Sequence, residues 1–546
     1  MRSPPARLCT LVALALLPLA AAGQSTLQVS RSPIGAVSSA HPLATAAGVR
    51  MLEAGGNAAD AAVAAAFAIA VVEPSMNSIG GRNQILVRLP DGTVAGIDGT
   101  TQAPATYDPD RAPQASHGYP VIGVPGAAAG LLELHARHGS LPLEVVMAPA
   151  IDYAENGFRL LPGEAARQAS AADRSAEFPG TAAIYLEPDG SPRDPGELLV
   201  QRDYARTLRA LAAGGRAAFY EGDIARKIAA DMEAHGGAVT LESLAAYRAL
   251  DARVVRGSYR GYELVGLDVP SAGVVCIQAL QILERFDKAK MTDAQWAGVA
   301  GQALSIASRE LDAMGTDTAA ARATSPDWAR QMAERIRAPG HAPTGEAFPP
   351  AGPRPDDQGH TTHLTAADGR GMFVALTQTL GPSMGSSVVT PGLGFLYAAT
   401  LGGYLGRVEP GERARSFVSP FMVLRDGQPV LVLGAAGGAR IVSGIVQVVS
   451  RVIDDRMPLA DALAAPRVHM AGSTLDAETT PGTGWRPEDL RLMRSLGLEV
   501  SENPREGAFS RVHAVQYDPA TGTWTGAADP DWEGSAQAPR PTAAAR

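Results

Sequence analysis

Residues 359–366 read Gly-His-Thr-Thr-His-Leu-Thr-Ala, and this stretch decides how the chain is organised. It directly follows a proline-rich segment, residues 338–359, which is expected to be an exposed linker. Before the linker the pattern is mainly helical, whereas after it short apolar runs separated by Asp-Gly turns predict strands. The chain is therefore expected to have a helix-rich half and then a strand-rich half that begins at Thr361 and Thr362.

Thr361 can be interpreted in two ways. Two threonines at the start of a strand are usually explained by the β-propensity of threonine alone. A threonine whose own α-amine is free, however, carries its base with it, because that amine has a pKa near about 8 and can take the hydroxyl proton. This chemistry requires a cut in the peptide just before Thr361, and an exposed linker that runs into a strand edge is a suitable place for it.

Hydrophobic spacing predicts the elements that surround this stretch. An Ala- and Val-rich run that is apolar on all sides predicts a buried helix over residues 58–72. The tail from Ser535, rich in Ala and Pro, is expected to fray. The other predictions are a helix over 44–54, strands over 84–89, 93–98, 361–366, 372–379, 421–424 and 429–433, and helices over 440–454 and 487–496.

Composition argues against several classes of protein. The 546 residues carry a formal net charge of −9, and the short basic clusters alternate with other residues, so no concentrated basic surface is offered to a nucleic acid. The sequence contains no H-E-x-x-H, C-x-x-C, EF-hand or Walker A motif. We therefore expect no nucleic-acid partner, no metal site and no cofactor.

The first 23 residues have the pattern of a secretory signal peptide. A positively charged start is followed by an apolar run, Leu8–Leu19, that is too short to span a membrane, and then by Ala20-Ala21-Ala22 as a cleavage site. An exported protein, periplasmic or secreted and without a membrane anchor, is expected. Loss of this segment removes Cys9 and leaves Cys276 alone, so no disulfide is expected.

Two glycine-rich motifs offer other chemistry. Gly381–Gly385 matches G-x-S-x-G, the turn that exposes a serine nucleophile, here Ser383, but the residues after it do not read as the required helix. A glycine-rich loop is the favoured interpretation there. Gly434–Gly438 follows a predicted strand and precedes a predicted helix, an arrangement that points backbone N–H groups at a phosphate or a developing oxyanion.

Many short blocks, in one order, resemble the gamma-glutamyltransferase family of self-cleaving N-terminal nucleophile hydrolases. The resemblance runs from about His41 to Asp529. The blocks are His41–Thr45, Gly55–Ala62, Val72–Pro74, Val124–Leu131, Ala148–Phe158, Phe219–Ala225, Pro270–Gly273, Gly359–His363, Thr377–Thr379, Ser419–Pro420 and Gly437–Ile441.

The resemblance implies a fold, a maturation step and a set of catalytic residues. The fold would be α/β (α+β), a four-layer αββα sandwich. Cleavage between His360 and Thr361 would give a large chain, 24–360, and a small chain, 361–546. Thr361 would be the nucleophile, and the hydroxyl of Thr379 would orient it. Another pair implied by the resemblance, the backbone amides of Gly437 and Gly438, would form the oxyanion hole.

The acyl pocket implied by the resemblance departs from the family pattern. Thr100 stands where an arginine for the substrate α-carboxylate is expected, and the block Ala398–Tyr404 holds no acid for the α-amine. Loss of both ends of such a clamp would cost about 3–6 kcal/mol of binding. The residues that we expect at the rebuilt pocket are Arg82, Thr100, Thr400, Gly403, Ser416 and Phe417.

Arg82 and Arg415 offer a replacement for the lost clamp. Either guanidinium would suit an anionic acyl group, while a purely structural role for both is the alternative. Tyr404 and Phe417 would make the pocket more apolar.

Three functions are compatible with these residues. The first is an amidase or acyltransferase that forms an acyl-enzyme on Thr361 from a small-molecule amide or peptide other than a standard γ-glutamyl compound. The second is a glutathione hydrolase or transpeptidase with an unusual clamp. The third is an inactive periplasmic binding protein on the same scaffold, against which the retained Thr361, Thr379, Gly437 and Gly438 argue. A hydrolase built on Ser383 is disfavoured by the missing helix.

Overall fold

A computed structural model gives the structure of the chain over most of its length. The predicted signal peptide, and the linker apart from a few residues at its start, lie outside the described residues. The described residues are 28–111, 115–309, 311, 314, 317–341, 343 and 360–540.

The strands within the described residues, in chain order, fall mostly into two sheets. They are β1 (Val29–Ser32), β2 (Gly35–Ser39), β3 (Arg82–Arg88), β4 (Val94–Gly99), β5 (Phe158–Arg159), β6 (Leu198–Leu199), β7 (Leu250–Ala252), β8 (Val254–Tyr259), β9 (Tyr262–Leu267), β10 (His360–Asp368), β11 (Phe373–Gly381), β12 (Phe421–Arg425), β13 (Gln428–Ala436), β14 (Val468–Ala471), β15 (Thr474–Glu478), β16 (Glu499–Asn503), β17 (Arg511–Asp518), β18 (Thr523–Ala528) and β19 (Ser535–Gln537).

The α-helices of the same described part lie mainly before residue 334. They are α1 (Pro42–Glu53), α2 (Ala58–Val72), α3 (Ala127–His138), α4 (Leu143–Asn156), α5 (Pro162–Ser170), α6 (Ala172–Ala176), α7 (Pro179–Tyr185), α8 (Arg202–Tyr220), α9 (Asp223–Ala234), α10 (Leu241–Ala246), α11 (Gly273–Leu283), α12 (Asp293–Arg309), α13 (Asp317–Ala323), α14 (Pro326–Ala333), α15 (Arg440–Asp454), α16 (Leu459–Ala464) and α17 (Pro487–Ser495).

Two antiparallel seven-stranded sheets form the centre of the molecule. Their strand orders are β1-β18-β17-β13-β12-β9-β8 and β19-β2-β10-β11-β3-β4-β7. Side chains that alternate along these strands meet between the sheets, where Leu86 and Phe373 of one sheet share an apolar core with Met422 and Trp524 of the other. The helix-rich and strand-rich halves of the sequence therefore interleave, since each sheet takes strands from both.

Helices cover the outer face of each sheet. All residues of α2 are buried, as its uniformly apolar sequence predicts, and α2 packs with α1, α4 and α8 against the sheet that contains β10. On the other side, α11, α12 and α15 pack against the sheet that contains β13. The layers run helix, sheet, sheet, helix, so the predicted αββα sandwich is confirmed.

The start of α2 shows how local sequence sets these elements. The side chain of Asn57 accepts hydrogen bonds from the backbone N–H groups of Ala59 and Asp60, and Asp60 accepts one from the N–H of Asn57. This reciprocal capping satisfies amides that a helix N-terminus otherwise leaves unpaired. It fixes the start of α2 at Ala58, where the apolar run predicts it.

The C-terminal tail differs from the prediction. Residues from Ser535 were expected to fray, but Ser535–Gln537 forms strand β19 and pairs with β2. The Thr45 hydroxyl also donates to the carbonyl of Ser535 over 3.1 Å. The reason is tertiary: the edge of β2 offers a hydrogen-bonding partner that local composition does not reveal.

Candidate active site

Thr361 and Thr379 lie opposite each other on neighbouring strands. Thr361 is the second residue of β10, Thr379 lies near the end of β11, and the two are paired in the sheet register. The Thr361 hydroxyl donates to the Thr379 hydroxyl over 3.1 Å, and both residues are buried. The hairpin therefore brings Thr361 together with Thr379, the second threonine that the family resemblance implies.

The Thr379 hydroxyl also contacts the peptide bond before Thr361. It donates to the carbonyl oxygen of His360 over 2.6 Å and accepts from the backbone N–H of Gly381 over 2.9 Å. A hydroxyl carries one proton, so Thr379 accepts from Thr361 and donates to the carbonyl. The hydrogen bonds thus run in one direction, from Thr361 through Thr379 to the carbonyl of the peptide bond between His360 and Thr361.

Gly437 and Gly438 form the turn between β13 and α15. Their φ angles are +132° and +58°, and a Cβ on Gly437 would come within 3.0 Å of the Cα of Ser510. Within the described part of the chain, neither amide donates to a backbone acceptor. Such amides at a turn before a helix are suited to an anion or an oxyanion.

The second sheet brings this turn to the side of Thr361. Ala436, the residue before the turn, pairs with Arg511 of β17, and Arg511 Nη2 lies 3.5 Å from the carbonyl oxygen of Thr361. Gly434 packs against the ring of His363, and a Cβ there would overlap that ring. Both contacts join the turn of one sheet to the first residues of β10 in the other.

His363 is held neutral beneath the threonine pair. Its Nδ1 lies 2.8 Å from the Thr377 hydroxyl and its Nε2 lies 3.0 Å from the Thr365 hydroxyl. Burial lowers the pKa of His363 to about 3. The ring therefore supports the start of β10 as a neutral polar group.

Arg82 is the substrate-pocket candidate that the fold brings to the threonine pair. It is the first residue of β3, it is buried, and it is paired in register with Thr379. Thr100 lies further from the pair, with its hydroxyl accepting from the Gln84 side chain over 2.8 Å. The side chain of Thr100 is therefore already engaged within the protein.

The other pocket candidates lie in different surroundings. Thr400 is buried beside Gly123, where a Cβ would come within 2.7 Å of the Thr400 hydroxyl oxygen. Gly403 lies on an exposed loop at φ +100° with open space around it. Ser416 donates its backbone N–H to Pro270, and Phe417 is buried in the core beneath the sheet that contains β13. Contact of these residues with a substrate stays a prediction.

Two further residues border the site. The ring of Tyr404 lies within 3.0 Å of the position that a Cβ on Gly381 would occupy, and Gly381 is paired with His360. Tyr404 thus lies near the backbone of Gly381, the register partner of His360, and its place in an apolar pocket stays a prediction. Arg511 was not identified from the sequence, because no local pattern links it to a threonine 150 residues away.

The G-x-S-x-G segment does not form the turn that a serine nucleophile needs. Strand β11 ends at Gly381, and the residues from 382 to 391 form turns and a single bridge rather than a helix. The Ser383 side-chain oxygen is buried and has no hydrogen-bond partner among the described residues. The glycine-rich loop interpretation is confirmed, with Met384 and Gly385 both at positive φ.

Metal ligands, membrane-spanning helices and a reactive thiol are the other features to consider in the described part of the chain. No group of three or more His, Cys, Asp or Glu side chains in that part of the chain could hold a metal ion. No helix there is long and apolar enough to cross a bilayer. Cys276 is a buried free thiol whose pKa is raised by burial.

Known proteins resemble this chain over most of its length. The gamma-glutamyltranspeptidase family model matches residues 44–538. Acylase ACY 1 proenzyme of Pseudomonas sp. (strain SE83) is 36% identical over 522 residues, which cover 90% of this chain and 91% of that protein. Glutathione hydrolase proenzyme of Escherichia coli (strain K12) is 31% identical over 537 residues, which cover 92% and 91%. The crystal structure of cephalosporin acylase from Bacillus halodurans matches with a TM-score of 0.85 at 28% identity, covering 96% of this chain and 100% of that one.

Proposed function

Because this chain belongs to the gamma-glutamyltranspeptidase family, we propose that it is a self-cleaving N-terminal threonine amidohydrolase or acyltransferase. Thr361 is the nucleophile of both the cleavage and the turnover, and the products of cleavage are the chains 24–360 and 361–546. The observation that carries the proposal is the directed hydrogen-bond chain from Thr361 through Thr379 to the His360 carbonyl.

The cleavage step follows from the direction of these hydrogen bonds. Thr361 Oγ1 attacks the carbonyl carbon of His360, its proton passes to Thr379 Oγ1, and the Thr379 proton passes to the carbonyl oxygen. When the intermediate collapses, the C–N bond breaks, and that proton moves to the nitrogen of Thr361. Water then hydrolyses the ester between His360 and Thr361, which frees the hydroxyl and the α-amine of Thr361.

The turnover step uses the new α-amine as the base. The amine takes the proton of the Thr361 hydroxyl, whose oxygen attacks the carbonyl carbon of a substrate amide. The backbone amides of Gly437 and Gly438 stabilise the oxyanion, a contribution of about 3–4 kcal/mol per donor in comparable sites. The leaving nitrogen takes the proton as the C–N bond breaks, and water or an amine then removes the acyl group from Thr361.

The substrate is an amide whose acyl group differs from a standard γ-glutamyl group. Thr100 stands at the position where family members hold the α-carboxylate with an arginine, and its hydroxyl accepts from the Gln84 side chain over 2.8 Å. Arg82, beside Thr379, supplies a positive charge for an anionic acyl group instead. The similarity to a protein named glutathione hydrolase keeps a γ-glutamyl substrate with an unusual clamp as the second candidate.

Intact mass measurement with N-terminal sequencing tests the nucleophile. We expect the wild-type protein to give two chains, the smaller one beginning Thr361-Thr362-His363, and Thr361→Ala to give one uncut, inactive chain. Thr362→Val, which changes the hydroxyl on the opposite face of the same strand, is the matched control and should still be cut. An uncut wild-type chain, or normal turnover by Thr361→Ala, would contradict the proposal.

A comparison of three anilides tests the acyl group. A glutaryl anilide carries the carboxylate without the α-amine, a γ-glutamyl anilide carries both, and a simple acyl anilide carries neither. We expect the glutaryl compound to give the highest kcat/KM. A clear preference for the γ-glutamyl compound would instead support the glutathione hydrolase candidate.

The signal-peptide pattern of the first 23 residues supports export, so both chains are expected in a periplasmic or secreted fraction.

A further inference from the structure

Two buried guanidinium groups, those of Arg167 and Arg511, pack against the indole of Trp532 near the threonine pair. The Cζ atom of Arg511 lies 4.1 Å from the ring centroid and that of Arg167 lies 4.4 Å from it. Trp532 itself has φ +63°, a left-handed conformation that is uncommon for a bulky side chain. Both cations therefore lie against one ring, and the residue that carries this ring has an uncommon backbone conformation.

Two carboxylates balance these two cations. Glu73 Oε1 lies 3.4 Å from Arg167 Nη2 and 3.7 Å from Arg511 Nη1, and Glu164 Oε2 lies 2.9 Å from Arg167 Nη2. All four side chains are buried. Buried charges need such partners to remain ionised, so both guanidinium groups are held in place as cations.

Only one of the two arginines is found in contact with Thr361. Arg511 Nη2 lies 3.5 Å from the Thr361 carbonyl oxygen, whereas the polar contacts found for Arg167 are with Ser75, Glu73 and Glu164. The α-amine that cleavage creates belongs to this same Thr361. Arg511 therefore places a positive charge against the backbone of the residue that carries the amine.

We propose that Arg511 is a positioning residue that anchors the backbone of Thr361 and keeps its α-amine unprotonated at neutral pH. The inference rests on the proposed role of Thr361. An ordinary α-amine has a pKa near about 8 and is mostly protonated at pH 7, which would remove the base. A nearby cation disfavours the ammonium form, so more of the enzyme carries a free amine.

The neighbouring charges support this assignment. Burial, followed by the positive charges of Arg167, Arg511, Arg174 and Arg505, lowers the pKa of His360, the residue next to Thr361, to about 3. The negative charge of Glu73 opposes this lowering, but the ion-pair contacts found for Glu73 are with arginines.

Several titratable and charged groups face this region from the surrounding elements. They are His360 and His363 on β10, Arg82 on β3, Glu73 after α2, Glu164 and Arg167 on α5, Arg174 on α6, Arg505 after β16, Arg511 and His513 on β17, and Asp529, Asp531 and Glu533 after β18.

The pH dependence of kcat/KM tests the assignment. With the glutaryl anilide, or whichever of the three anilides is turned over, we expect Arg511→Met to move the acid limb up by about one pH unit, because the cation 3.5 Å from the Thr361 carbonyl oxygen is lost. Arg511→Lys keeps the charge and should restore most of the wild-type limb. An unchanged acid limb in Arg511→Met, with only a lower rate, would overturn the electrostatic role.

Arg167→Met is the matched control for the contact. It removes the other cation that lies against the ring of Trp532, together with its ion pairs, while the contact of Arg511 with Thr361 stays. We expect a smaller shift of the acid limb than in Arg511→Met. An equal or larger shift would show that the contact with Thr361 does not matter.

Direct titration of the amine keeps the test decisive if a variant fails to fold. The pH dependence of N-terminal labelling of the wild-type small chain, read by mass spectrometry with an acetylating reagent, gives the amine pKa. We expect a value clearly below the ordinary value of about 8. A value at or above 8 would overturn the inference, whereas absence of a free Thr361 amine in the wild type would overturn the proposed function itself.

Discussion

The Thr361 hydroxyl donates a hydrogen bond to the Thr379 hydroxyl over 3.1 Å, and the Thr379 hydroxyl donates one to the carbonyl oxygen of His360 over 2.6 Å. The pairing of β10 with β11 sets this relationship, since the two residues are register partners. One hydroxyl therefore both accepts from Thr361, the proposed nucleophile, and polarises the carbonyl of the peptide bond between His360 and Thr361. Removing that hydroxyl should slow cleavage and turnover while leaving the fold intact.

Thr379→Val should slow cleavage and turnover by about 10²–10³, because it removes one preorganised hydrogen-bond donor while keeping the side-chain shape. The measurement is the rate of appearance of the small chain on a gel after synthesis, followed by kcat of the matured enzyme. Thr379→Ser restores the hydroxyl and should recover most of both rates. Cleavage of Thr379→Val at the wild-type rate would contradict the relay.

Gly437→Ala should reduce kcat far more than Gly438→Ala. At Gly437 the φ angle is +132° and a Cβ would press against Ser510, whereas Gly438 at φ +58° lies in the left-handed region that alanine enters at a cost of about 1 kcal/mol. The measurement is kcat together with the melting temperature of each variant.

Gly522→Ala is the control for that comparison. Gly522 has φ +65° and open space around it, so alanine there costs backbone conformation only. We expect it to lower the melting temperature slightly and to leave kcat unchanged. Equal kcat for Gly437→Ala and Gly522→Ala would exclude the turn from the oxyanion site.

The sequence predicts those parts of the site that depend on short-range pattern. Thr361 and Thr379 are 18 residues apart, and a hairpin of that length brings them together without help from the rest of the chain. The contact of Arg511 with Thr361 arises only because two sheets stack, so nothing near either residue signals it. The same reason explains the tail, where the strand at Ser535 exists because β2 has a free edge nearby.

Arg82→Met should lower kcat/KM for a glutaryl anilide by about 10- to 100-fold, the value of one charge-assisted hydrogen bond. It should change kcat/KM for a simple acyl anilide much less, because that acyl group has no charge to pair. Arg82 is favoured for this role because it is paired with Thr379.

Arg415→Met is the comparison for Arg82→Met. Arg415 Nη1 lies 3.4 Å from the carbonyl oxygen of Leu311, so part of its guanidinium already has a partner in the protein. A loss of glutaryl preference in Arg415→Met, with none in Arg82→Met, would move the anion site to Arg415.

Buried neutral histidines should make the protein lose stability as the pH falls below about 6.5, the ordinary pKa of an unfolded histidine. Burial lowers the pKa of His41, His363 and His469 to about 3, and it lowers the pKa of His513 well below its usual value. Below pH 6.5 the unfolded chain binds these protons while the folded chain does not. Each group then contributes a slope of about 1.4 kcal/mol per pH unit, with stability falling towards acid pH.

His469→Gln isolates one of these contributions away from the active site. His469 Nδ1 lies 2.9 Å from the Ser443 hydroxyl, and glutamine can replace that hydrogen bond without titrating. The free energy of unfolding, measured by urea denaturation between about pH 5 and 6.5, should fall less steeply in His469→Gln than in the wild type. Buried carboxyls such as Glu73 and Asp529, whose pKa burial raises, act in the opposite direction, but they do so in both proteins, so the difference in slope reports His469 alone. An unchanged slope in His469→Gln would mean that this ring accepts a proton in the folded state.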